Sequence, residues 1–161
     1  MSLAVYSHPV HFPIIATESA ICNARRDTVI HLEDTNPMSD IAALAKKFFD
    51  RIEQGDISVL REVYAPNVEI WHNTDEQIQS LEDNVQTLQG FAQRIPKREY
   101  TNRRLQVFPG GFVQQHRLIG TRKDGKRVEL EACIICKVEN GRITRLDEYF
   151  DSAAVAKFRE P

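Results

Sequence analysis

Three cysteines in 161 residues make a poor disulfide framework, because an odd count leaves one thiol over. No apolar run approaches the roughly 18–20 residues that span a bilayer, so membrane insertion is not expected. Neither sign of charge dominates: 21 basic residues stand against 23 acidic ones, for a net charge of -2. That balance argues against a nucleic-acid surface, which needs an excess of Lys and Arg. The start also lacks the basic segment of a secretory signal. Residues 1–15 contain no Lys or Arg, and His8, Pro9, His11 and Pro13 interrupt their apolar stretch. A cytoplasmic location is the expectation. Internal repeats and low-complexity tracts are absent. No His, Cys or acidic cluster has ligand spacing, so neither a metal nor another cofactor is expected.

What is present is enough for one folded domain, since 42% of the residues are apolar and can form a core. Residues 1–37 mix Pro, His, Asn and Thr with short apolar patches and show no sustained period. They read as a poorly ordered extension, or as residues before a true start at Met38. The domain itself is expected over residues 38–161. A helix is predicted over residues 39–53, with Ile41, Leu44, Phe48 and Ile52 at helical spacing and Gly55 as its stop. Asp56 caps a second short helix that Pro66 ends. Residues 67–72 alternate as a strand. Thr74-Asp75-Glu76-Gln77 has the form of a capping box, opening a third helix through Ile78, Leu81, Val85 and Leu88. Four strands follow, starting near Arg98, Phe112, Arg127 and Arg142, joined by turns that include Asp124-Gly125 and Asn140-Gly141. A short helix is expected over residues 152–158. The order predicts an α+β fold in which a curved antiparallel sheet wraps around N-terminal helices. Cys133 and Cys136 lie within the third of those four strands, three apart and so on opposite faces. They read as buried structural thiols, not as a redox pair.

Three stretches carry a resemblance to a known family: Phe48 to Ile57, Tyr64 to Asn73 and Asn140 to Asp151. The chain resembles the SnoaL-like, nuclear transport factor 2-like group, which includes polyketide cyclases, ketosteroid isomerase, limonene epoxide hydrolase and scytalone dehydratase. The resemblance implies a cone-shaped fold with a small-molecule pocket, and a homodimer. The open sheet face offers a surface for that dimer. Activity does not follow from the fold. Matched to ketosteroid isomerase, Phe48 and Ile134 occupy the positions of its two oxyanion donors, and His72 that of its aspartate. Matched to limonene epoxide hydrolase, Gln115 and Arg117 fall on triad positions, while Trp71 and Asn73 fall on its water-positioning pair. The SnoaL-like cyclases rely on a last-strand acid, for which Glu148 is the candidate.

Strand parity ranks these residues. Leu146, Glu148 and Phe150 share the more apolar face of the last strand, so Glu148 is expected in the pocket as the acid or base. His72 follows Val68 and Ile70 on one face and is expected as its proton-transfer partner. A bulge would instead turn Trp71 and Asn73 inward. Gln115 and Arg117 are candidate pocket residues from the matched positions, and Phe48 and Phe150 are candidate apolar lining. The expected function is a cofactor-independent acid/base enzyme on a small, apolar, oxygenated molecule. The alternative is a non-catalytic ligand-binding or dimeric association module of the same fold.

Overall fold

A computed structural model describes residues 37–160. The expected extension lies, through residue 36, outside the described residues. Helix α1 (Pro37–Gln54) buries Ile41, Ala45, Phe48, Phe49 and Ile52, the single stripe that its spacing predicts. Gly55 closes it at φ +83°, donating its N–H to the Ile52 carbonyl at 3.0 Å, while the Asp56 N–H reaches Arg51 O at 2.9 Å. The Asp56 carboxylate then caps the 3₁₀ turn at Ile57–Val59, which runs into α2 (Leu60–Val63).

Strand β1 (Tyr64–His72) starts earlier than expected and contains Pro66. The strand register shifts between Tyr64 and Glu69, and that irregular stretch accommodates a residue without an N–H. Pro66 therefore does not end a helix. The third helix also begins later than expected. Ile78 lies not in a helix but in β2 (Ile78–Gln79), a two-residue strand paired with β1, and is exposed. The capping box that operates is Ser80 with Asp83, at the start of α3 (Leu81–Arg94). Thr74 to Gln77 instead forms a turn. Its Glu76 adopts φ +55°, and the Gln77 N–H bonds the Asp75 carboxylate at 3.2 Å.

The four remaining strands are β3 (Lys97–Phe108), β4 (Gly111–Thr121), β5 (Arg127–Glu139) and β6 (Arg142–Phe150), an antiparallel meander as expected. The sheet order is β2-β1-β6-β5-β4-β3, and β1 runs parallel to β6. The sheet is thus antiparallel except at that one junction. Helix α4 (Ser152–Arg159) follows β6 directly, capped by Asp151. Helices α1 and α3 pack with one face of the sheet in a core that includes Ile70, Phe112, Ile134 and Leu146. A second core joins α4 to the ends of β4 and β5 through Ile95, Leu118, Val128, Leu130, Val155 and Phe158. Between them the inner face stays partly unfilled.

Cys136 is fully buried on that inner face, and burial pushes its thiol pKa well up. Cys133 points to the opposite face and is only half-buried, so it is not the buried thiol expected. No described helix is long and apolar enough to cross a membrane.

Candidate functional site

The unfilled space is a cavity of about 160 Å³, lined by α1, β1, α3, the strands of the meander and α4. Its walls are mostly apolar: Phe48 and Phe49 from α1, Leu88 and Phe91 from α3, Ile134 from β5, Val155 and Phe158 from α4. Polar groups enter at defined places. His72 and Glu148 are direct neighbours across the parallel β1–β6 pair, and both side chains face inward. His72 Nε2 stands 3.3 Å from Glu148 Oε2. The Phe150 ring stacks on the imidazole at 5.8 Å, with 20° between the planes.

Burial opposes protonation of His72, yet the hydrogen bond and the charge of Glu148 outweigh it, with Asp75 adding to them. The net result is a pKa above the ordinary histidine value. The charge of Glu148 reaches further into the cavity. It adds to the burial that pushes the phenols of Tyr64 and Tyr100 upward.

A second polar strip runs up the wall. Tyr64 donates its hydroxyl to Asn84 Oδ1 at 3.3 Å, and Asn84 Nδ2 donates to Gln79 Oε1 at 3.0 Å. On β4, His116 is buried against Tyr100 (4.6 Å between ring centroids) and Phe49 (5.5 Å). Burial holds this imidazole below the ordinary histidine pKa, so it stays neutral. One cavity therefore contains a histidine pushed toward its protonated form by a carboxylate and another pushed toward its neutral form among aromatics. Among the described residues no three His, Cys, Asp or Glu side chains gather as a metal site.

The profile of the SnoaL-like domain matches residues 45–146. This chain belongs to the SnoaL-like domain family. Solved structures share its fold. A proposed SnoaL-like polyketide cyclase from Jannaschia sp. CCS1 is 17% identical, with a TM-score of 0.66 over 80% of this chain and 99% of the other. IdmH, a proposed polyketide cyclase from Streptomyces antibioticus, is 16% identical, with a TM-score of 0.64 over 73% and 96%. An epoxide hydrolase of limonene-epoxide-hydrolase type from M. tuberculosis is 16% identical, with a TM-score of 0.64 over 75% and 90%. At these identities the likeness shows the fold alone. No curated protein sequence is significantly similar to this chain.

Within the SnoaL-like cone, the candidates from sequence divide. Glu148, His72, Phe48 and Phe150 all line the cavity. Gln115 and Arg117 do not: both point to the outer face, where Arg117 Nε donates to Glu131 Oε1 at 2.6 Å. The β4 register puts Phe112, Gln114, His116 and Leu118 inside instead, and all four are buried. Trp71 is also on the outer face, with its ring 5.3 Å from that of Tyr149. The register of β1 shifts between Tyr64 and Glu69, while Val68, Ile70 and His72 are all buried on the inner face, so no bulge turns Trp71 inward. Asn73 is spent on backbone. Its Nδ2 donates to Phe150 O at 3.0 Å, and its Oδ1 accepts from Phe150 N–H at 3.1 Å. It mimics one more residue of the ladder and fixes the end of β6 beside Glu148. His116 was the residue to find from sequence: it shares parity with Phe112 and Leu118, the bulkier face of its strand.

Proposed function

We propose that the cavity is an active site for proton transfer on a small, largely apolar, oxygenated molecule. The supporting observation is the His72–Glu148 pair, set 3.3 Å apart in a cavity whose walls are mostly apolar. A carboxylate there is a base for a C–H beside a carbonyl. The imidazolium next to it is an acid for the oxygen that gains charge as that C–H ionises. The reaction class is cyclisation, isomerisation, dehydration or hydration. The proposed cyclases and the epoxide hydrolase among the similar folds are consistent with such chemistry, at an identity that leaves the substrate open.

The second reading is a ligand-binding or association module. Phe48 and Ile134 favour it, because neither carries a hydrogen-bond donor where an oxyanion would need one. Thermal stabilisation by steroids, polyketide-like phenols, terpenoid epoxides and aromatic acids distinguishes the two. Melting shifts for one class, altered in Glu148→Gln, support the active site. Shifts identical in both proteins favour a binding module. No shift with any class contradicts a small-molecule site.

A further inference from the structure

Several arginines of the described chain have obvious partners. Arg51, Arg61, Arg103, Arg117 and Arg145 each face a carboxylate. Arg98 and Arg142 donate to backbone carbonyls. Among the described residues, Arg94, Arg104 and Arg159 make no ion pair and no hydrogen bond. Two of these three, Arg94 and Arg159, line the cavity.

Their placement follows from the packing. Arg94 ends α3, one turn after Phe91, and Arg159 ends α4, next to Phe158. The Phe91 and Phe158 rings meet at 6.4 Å and bring the two helix ends together. The arginines are exposed while the aromatics beside them are not, so the guanidinium groups stand at the mouth and the rings behind them. The Arg94 guanidinium lies back over its own helix, where a Cβ at Gly90 would come 3.1 Å from Nη1. Asp75 is the acidic residue of the same lining outside the buried pair. The mouth therefore carries two positive groups against one negative, on a molecule whose net charge is -2. Helix C-termini favour basic residues, which accounts for an Arg at either end. It does not account for both being unpaired on one opening.

We propose that the ligand of this cavity is an apolar carboxylate, its body between the aromatic walls and its carboxylate gripped at the mouth by Arg94 and Arg159. This rests on the reading of the cavity as a small-molecule site. The planar guanidinium fork matches a carboxylate, and at the mouth the anion need not be fully stripped of water. Only the apolar part enters the mostly apolar interior.

The test uses matched acid and primary-amide pairs: 1-naphthoic acid with 1-naphthamide, cinnamic acid with cinnamamide, and decanoic acid with decanamide. Affinities are measured for the full chain and for Arg94→Gln, Arg159→Gln and Arg104→Gln. At least one acid is expected to bind about tenfold or more tightly than its amide, an advantage that shrinks as salt is raised. Arg94→Gln and Arg159→Gln should remove that advantage and leave amide affinity unchanged. Arg104→Gln, outside the cavity, should leave it intact. Equal binding of acid and amide overturns the proposal, as does an advantage that survives both mouth variants or is lost equally in Arg104→Gln. If all these probes fail while neutral phenols or epoxides bind, the carboxylate is wrong and the small-molecule site stands. If nothing binds, both fall.

Discussion

His72 and Glu148 tie the cavity to pH, and the sign follows from the direction of the shift. The pKa of His72 is raised above 6.5 in the folded chain. Its contribution to stability is therefore fully present below that value and is lost as pH rises through the raised one. Buried His116 is shifted the other way. Its contribution is present above 6.5 and is lost as pH falls through the lowered folded value. The melting temperature of the wild type should thus fall, as pH rises above about 6.5, more than that of Glu148→Gln, which no longer favours protonated His72. NMR titration of the two imidazoles checks the assignment. His72 should titrate above His116, and Glu148→Gln should lower the His72 value. A His72 that titrates alike in both proteins contradicts the coupling.

At the scale of elements, two positions hold the cavity walls in place. Ser80 caps α3 through the Asp83 N–H, and Asp83 answers through the Ser80 N–H. Ser80→Ala should cost about 1 kcal/mol in urea unfolding. Gly120 sits where β4 passes under α4. A Cβ there would come 2.6 Å from Ile95 Cγ2 and 2.9 Å from Phe158 Cε1. Gly120→Ala should cost about 1–3 kcal/mol and push Phe158 from the cavity, weakening any ligand with it. A variant with wild-type melting and wild-type binding would show that α4 does not wall the site.

The same elements show what was legible in the sequence. Helix α1 and the meander each carry a strong local signal: a periodic stripe and Gly-containing turns. The sequence reading placed the cap of α3 at Thr74, six residues before the Ser80 that caps it. The choice fell to Ser80 because Trp71 and Ile70 pair with Ile78 and Gln79, which only tertiary contact decides. Parity placed Glu148, His72 and Phe150 correctly on the inner face. The parity of β4 left its two faces open, Gln115 and Arg117 were assigned from matched positions alone, and the fold turns both outward. The role of Asn73 in the ladder has no sequence signal, since it depends on where β6 ends. Arg94 and Arg159 lie 65 residues apart, and only the fold brings them to one opening.

At the scale of the whole molecule, the outer sheet face presents exposed apolar side chains among the described residues. It exposes Ile135 and Tyr149, with Trp71 against Tyr149. We propose that a second copy of the chain covers it, as the family resemblance implies. Sedimentation should give a dimer, and Ile135→Lys should shift it toward monomer without changing ligand binding at the inner cavity. A wild type that sediments as monomer at tens of micromolar contradicts this.

The central claim, that the cavity moves protons, has a direct test that does not need the natural substrate. The full chain is incubated in D₂O with 1-tetralone and with a steroidal ketone, and deuterium entering beside the carbonyl is followed by NMR. Exchange is expected to be faster than in buffer, reduced about 100-fold or more in Glu148→Gln and also slowed in His72→Ala. Exchange no faster than buffer, or equally fast in wild type and both variants, would contradict it.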